Sequence, residues 1–203
     1  MENCVCCQPT VVWLTGLSGS GKSTIGRALT EALSGHNPRT VHLDGDVVRR
    51  QVGTNGFSRE ARDAHVAMVG YAAALLQEQD CHVVVSLISP YDKARQLARS
   101  LCTGRFILVH VSTPLEVCAA RDPKGLYAKA TFGLIPNFTG VTAPYEVPKS
   151  PELSVDTSVT MLDEAVDLLT RAVVLGCEGV ADEAVEVEVE NVVGVDGGDE
   201  SVG

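Results

Sequence analysis

Apolar positions along this chain alternate between two rhythms. Short, nearly unbroken runs at Thr10–Thr15, Thr40–Leu43, Cys81–Leu87 and Arg105–Val111 predict β-strands. The Val83-Val84-Val85 stretch suits a strand covered on both faces. Between these runs the apolar spacing lengthens to helical steps, predicting helices over Thr24–Leu33, Asp92–Leu101, Leu115–Ala120 and Thr160–Leu175. The longest predicted helix is Ser58–Gln79, where Ala61, Ala64, Met68, Ala72, Leu75 and Leu76 recur at steps of three or four, with Ser58 as N-cap and Glu60 in the first turn. Gly35-His36-Asn37-Pro38 stops the first helix. Strands alternating with helices imply an α/β fold, a mainly parallel sheet between two helical layers. The rhythm breaks between Asp122 and Asp156, a stretch holding five of the nine prolines and three glycines. An irregular segment of that length inside a compact domain reads as a lid.

Composition adds boundaries to this pattern. A chain of 203 residues with 45% hydrophobic content is long enough for one full core and short for two ordinary domains. The net charge of -10 is local: from Glu178 onward there are nine acidic residues and no Lys or Arg, leaving 17 acidic against 16 basic residues before that point. The expected organisation is a flexible cysteine-rich start at 1–9, a catalytic domain at 10–177 with a lid at about 122–156, and an acidic tail at 178–203. Val185–Val189 alternates and also fits a strand with one charged face, whereas like-charge repulsion and the lack of aromatics favour a mobile tail. Acidity there argues against nucleic acid as a partner.

No basic, apolar leader opens the chain, and no run is apolar for the roughly 18 residues that a membrane span needs, so a soluble cytoplasmic protein with no membrane partner is expected. Of the seven cysteines, Cys81, Cys102 and Cys118 read as small buried hydrophobes. Cys4, Cys6 and Cys7 read as exposed thiols on a floppy end or as a redox or metal site, for which no second ligand cluster follows.

The chemistry begins where the first strand ends. Gly16-Leu17-Ser18-Gly19-Ser20-Gly21-Lys22-Ser23 matches G-x-x-x-x-G-K-[ST] at every fixed position, between a predicted strand and a predicted helix. In that context it is a phosphate-binding loop, and the fold class becomes a three-layer α/β/α fold of the P-loop nucleoside triphosphate hydrolase type; a chance Gly/Ser-rich turn is the plainer alternative. Glycines let the backbone turn its N–H groups onto the phosphates, and the following helix adds its positive end. A nucleotide's phosphates would meet Gly16, Ser18, Gly19, Ser20, Gly21, Lys22, Ser23 and Thr24, with Lys22 a point charge and the Ser23 hydroxyl a ligand for Mg²⁺. Asp44-Gly45-Asp46 follows the second strand, at the end of the sheet where sites form, and a carboxylate there would orient or deprotonate an acceptor hydroxyl; two solvated acids in a turn is the alternative.

With these residues the chain resembles the adenylylsulfate kinase family from about Val11 to Ala172. Besides the loop, the resemblance rests on Asp44-Gly45-Asp46 with Arg49, Gly56-Phe57-Ser58 with Arg62, Ile88-Ser89-Pro90-Tyr91, Arg121-Asp122-Pro123-Lys124-Gly125-Leu126-Tyr127 with Lys129-Ala130, Phe138-Thr139-Gly140, and Pro144-Tyr145-Glu146 with Pro151-Glu152. It implies transfer of the γ-phosphoryl group of MgATP to the 3′-hydroxyl of adenylylsulfate, in a homodimer functionally linked to ATP sulfurylase. Lys22 and Asp46 would be the catalytic pair, with Asp46 the base. The acceptor would be met by Asp44, Arg49, Phe57, Arg62, His65, Ile88, Ser89, Lys124, Lys129 and Phe138: the arginines on its anion, the two rings around its adenine, and the lysines over the phosphates on closure.

The departures from the family pattern lie on the acceptor side. His65 and Ala67 stand where an asparagine and an arginine are usual, Val47 replaces an asparagine, Pro136 a lysine, and the loop from Arg49 to Phe57 is one residue shorter. Two other readings stay open: a related kinase for another nucleotide-like hydroxyl, and a non-catalytic nucleotide-binding regulator. Intact Lys22, Ser23, Asp46 and Arg49 argue against the second.

Overall fold

A computed structural model describes residues 8–53 and 56–175. Cys4, Cys6, Cys7 and the acidic tail lie outside the described residues. Strand β1 (Thr10–Thr15) is buried at every position, and it is central in the five-stranded sheet ordered β2-β3-β1-β4-β5, with β2 (Thr40–Asp44), β3 (His82–Ser86), β4 (Arg105–Val111) and β5 (Leu153–Val155). Every pairing is parallel: Val11 lies opposite Val83 and Phe106, and Val109 opposite Leu153.

Strand periodicity sends alternate side chains to opposite faces and so builds two cores. Val12, Leu14, Val84, Ile107 and Val109 meet α1 (Lys22–Ser34) and α7 (Leu162–Leu175) through Ile25, Leu29, Leu33, Ala165, Leu169 and Ala172. Val11, Trp13, Val83, Val85 and Leu108 meet α3 (Arg59–Gln77) and α4 (Asp92–Leu101) through Val66, Val69, Ala73, Ala94 and Ala98. Each fully buried Leu or Ile, such as Ile25, Leu29 and Leu33, stabilises the domain by about 1.5–3 kcal/mol relative to exposure. These are the three expected layers.

Three elements depart from the expected pattern. Helix α2 (Gly45–Val52) occupies a stretch that reads as a turn, because it opens on Gly-Asp and carries paired arginines. Helix α6 (Leu126–Thr131) and β5 lie inside the segment that reads as irregular, one of six residues and the other of three, too short to show a period. Helix α5 (Leu115–Arg121) precedes them. Ser58 caps α3 as expected, accepting from the Ala61 amide at 3.2 Å. Pro9, placed with the flexible start, has its carbonyl held by Gln77 at 3.0 Å. Of the body cysteines Cys118 is buried, whereas Cys81 and Cys102 are only half-buried. No described helix is long and apolar enough to cross a membrane.

Candidate active site

The loop between β1 and α1 owes its shape to two left-handed glycines and to donors that pull its carbonyls outward. Gly19 (φ 76°) and Gly21 (φ 98°) occupy backbone conformations that side chains resist, and a Cβ on Gly19 would come within 2.9 Å of the Cys118 carbonyl. The Leu17 carbonyl accepts from Lys22 Nζ (2.5 Å), that of Ser18 from the Tyr127 hydroxyl (2.9 Å), and that of Ser20 from Thr113 (3.1 Å) and Thr157 (3.0 Å). The Lys22 carbonyl accepts from Ser86 Oγ at 3.1 Å. A carbonyl turned onto a donor is kept off the side where phosphates would lie. Gly21 is the N-cap of α1 and contributes no side-chain bond; its carbonyl takes the Thr24 and Ile25 amides at 3.0 Å, which leaves those of Lys22 and Ser23 open to an anion.

Lys22 is buried, and that burial drives its pKa down to about 8. Its ammonium therefore stays mostly charged at neutrality but loses its proton as the pH rises through about 8, and negative charge arriving beside it would hold the proton. Ser23 Oγ donates to Asp44 Oδ2 at 2.6 Å, while the other Asp44 oxygen accepts the amides of Asp46 and Val47 as the N-cap of α2. Partial burial opposes charge on Asp44, but these hydrogen bonds outweigh it and hold the carboxyl below the usual carboxylate range. Asp44 thus sits behind the loop hydroxyl, not on the cleft wall where the acceptor would be met.

In front of these groups opens a cleft of about 680 Å³ that brings most of the expected site residues together. Ser18, Gly19, Gly21, Lys22, Ser23 and Thr24 form its phosphate-loop end; Asp46, Arg49, Phe57, Arg62, His65, Ile88, Ser89, Lys124 and Phe138 line the rest. Gly16 and Ser20 shape the loop from outside the wall, and Lys129 is exposed on α6, away from it. Asp46 stands in the first turn of α2, in contact with Lys124 from the turn between α5 and α6. Arg49 donates to the Gly56 carbonyl at 2.8 Å; Arg62 donates to Phe57 O at 3.1 Å and Asn137 O at 2.7 Å. Phe57 is half exposed, its ring 5.1 Å from the Arg49 guanidinium and 5.6 Å from that of Arg62. Phe138 is buried and packs edge-on against Tyr127 at 4.9 Å.

His65 is buried, and its Nε2 meets the Gly45 carbonyl at 3.1 Å. Burial and the Arg49 charge lower its pKa, so a neutral ring donates from Nε2 and leaves Nδ1 an acceptor with no protein partner. Val47 and Pro136 are exposed and off the cleft wall, so of the residues that depart from the family pattern His65 is the one lining it.

Several supporting residues escaped the sequence reading. Arg121 is held by Thr157, donating to its Oγ1 at 2.7 Å and to its carbonyl at 2.8 Å, and both line the cleft with Thr160 and Leu162. Beneath the acceptor side, Arg95 donates to Ser89 O (2.8 Å) and Glu146 O (2.7 Å), and Trp13 Nε1 donates to Ser89 Oγ (3.0 Å). These bonds hold Ser89 at φ 37°, a left-handed conformation unusual for serine. Arg121 and Glu146 stood in the recognised blocks, but no periodic or spacing signal announces a bond across dozens of residues.

Comparison with known proteins agrees with this geometry. The family model described as adenylylsulphate kinase matches residues 8–156. An adenylyl-sulfate kinase of Shewanella pealeana is 47% identical over 176 residues, covering 84% of this chain and 86% of its own. The structure of the Mycobacterium tuberculosis APS kinase in complex with AMPPNP and APS superposes with a TM-score of 0.76 at 37% identity, covering 80% of this chain and 95% of that one. A gluconokinase from Sinorhizobium meliloti, at 22% identity and a TM-score of 0.53 over 87% of this chain and 95% of its own, shares the fold.

Proposed function

The chain belongs to the adenylylsulphate kinase family, and from that premise we propose how its cleft works. It is an ATP-dependent kinase whose reaction is phosphorylation of adenylylsulfate. The observation that carries the residue assignment is one continuous cleft: a phosphate loop at one end, two arginines with two aromatic rings at the other, and Asp46 between them.

The loop amides and Lys22 hold the ATP phosphates, and Arg121, fixed by Thr157, borders the nucleotide on the donor side. Arg49 and Arg62 take the phosphosulfate anion as charge-assisted donors, and Phe57 and Phe138 enclose the adenine. Asp46 accepts the proton of the 3′-hydroxyl as it attacks, or orients it, while Lys124 brings positive charge from the lid. Ile88 and Ser89, held by Arg95, form the acceptor floor. Positioning and charge neutralisation carry most of such a transfer.

Mg²⁺ fits the donor set: Ser23 Oγ beside the Asp44 carboxylate presents hard oxygen groups, with Ser23 the direct ligand and Asp44 behind it. When bound, the ion neutralises charge on the β- and γ-phosphates. Homodimerisation, a cytoplasmic setting, a product that enters sulfate assimilation and a link to ATP sulfurylase are further proposals supported by the family resemblance. Light scattering of the purified protein tests the first of them.

The deciding experiment is ADP release with MgATP, comparing adenylylsulfate against AMP, other nucleotides and no acceptor. Turnover with adenylylsulfate alone at low concentration supports the assignment and shows that His65 suits the pocket. ATP binding without stimulation by adenylylsulfate would overturn it.

A further inference from the structure

One buried side chain touches both ends of the cleft without lining it. Tyr127, in the first turn of α6, is 5% exposed. Its ring meets Phe138 edge-on, centroids 4.9 Å apart and planes at 86°. Its hydroxyl, on the far end of that ring, donates to the Ser18 carbonyl of the phosphate loop at 2.9 Å. The other described side-chain bonds to the loop carbonyls come from Lys22, Thr113, Thr157 and Ser86, none of them in the segment that carries Phe138.

We infer that Tyr127 is a positioning residue that couples the two substrate sites, its ring braced by Phe138 on the acceptor side and its hydroxyl fixing the Ser18 peptide on the ATP side. The inference rests on the proposed place of Phe138 beside the acceptor. A ligand stacked on Phe138 fixes the edge contact to Tyr127, and an edge contact fixed in angle aims the phenol at its acceptor. The Ser18 peptide is then held with its carbonyl outward, which is the orientation that gives the loop its inward amides. Leu17 packs into the same apolar cluster, so close to the Gly140 backbone that a Cβ there would come within 2.9 Å of Leu17 Cδ2. Loop and lid therefore move as one packed unit at this point. Burial, with the Cys118 and Asp122 charges adding to it, raises the phenol pKa well above its usual value, so the group remains a donor at any working pH.

Coupling of this kind is reciprocal: adenylylsulfate tightens nucleotide binding by the same factor that nucleotide tightens adenylylsulfate. A single neutral hydrogen bond supports a factor of roughly two- to tenfold. Tyr127→Phe removes the hydroxyl and keeps the ring against Phe138. Calorimetric titration of AMPPNP into wild type and variant, each with and without saturating adenylylsulfate, reads the factor directly. The expected result is a clear factor in wild type that falls towards one in Tyr127→Phe, while adenylylsulfate alone binds both proteins within about twofold. A purely structural tyrosine would lower the melting temperature and weaken both ligands without changing their ratio. An unchanged factor in the variant, or no coupling in wild type, overturns the inference and leaves the acceptor assignment standing. Failure of wild type to bind adenylylsulfate, alone or with AMPPNP, would remove the acceptor assignment and the inference with it.

Discussion

The two ends of the cleft are built on different principles. At the end proposed to take ATP, the groups that would face the phosphates are, Lys22 and Ser23 apart, backbone amides, and side chains from α6, β3 and the turns after β4 and β5 clamp that backbone from outside. At the end proposed to take the acceptor, the groups that would face the ligand are themselves side chains, long and partly exposed, such as Arg49 and the half-exposed Phe57. A backbone site tolerates change around it as long as the turn is kept; a side-chain site changes its selectivity with each replacement. That contrast fits the place of His65, the one departure from the family pattern that lines the cleft, which stands away from the phosphate loop.

Four measurements would break or sharpen the contrast. The largest effect should follow Asp46→Ala, which sits between the ends: turnover falls by roughly 10²–10⁴-fold while AMPPNP affinity is kept. Near-normal turnover would take Asp46 out of the mechanism. Next, Arg62→Ala should raise the adenylylsulfate KM by about 10–100-fold, the cost of a charge-assisted contact, and leave the ATP KM nearly unchanged. Equal weakening of both substrates would contradict a division between ends. Third, pH should separate them. Lys22, lowered by burial to about 8 in the free protein, is cationic below that value and neutral above it. The kcat/KM for MgATP should therefore fall by about tenfold per unit once pH exceeds 8, whereas guanidinium groups keep their charge, so acceptor affinity should not follow. A flat donor profile from pH 7 to 9.5 would show that Lys22 keeps a higher pKa. The smallest change is expected for His65→Asn, which exchanges one neutral hydrogen-bonding group for another: a few-fold shift in acceptor KM alone. A shift in ATP KM instead would assign His65 to the wrong end.

Where the sequence was legible, the physics was local. β1, the phosphate loop and α1 follow from an apolar run, glycines at fixed offsets and a helical period, and α3 from nineteen residues of spacing with a serine cap. α2, α6 and β5 were not, since short elements are decided by what they pack against, as β5 is by pairing with β4. The site divides in the same way. Lys22 and Ser23 announce themselves within one motif, whereas the turn of Asp44 toward Ser23, the holding of Arg121 by Thr157 and the bond from Tyr127 to Ser18 arise only when distant segments meet. Lys129 shows the converse: its place in a recognised block did not bring it to the cleft wall.

The central position of β1 also bears on how the protein comes into being. β1 is made before its parallel neighbours β3 and β4, so Thr10 finds its partner only when Arg105 has been made. Closing such long loops is slow compared with forming helices. The Thr113 hydroxyl that steadies the loop comes from just beyond β4, and that of Thr157 from just beyond β5. A growing chain therefore carries its complete nucleotide motif long before it can hold a nucleotide, and ATP can act as a ligand that stabilises the finished domain but not as a template for its early folding.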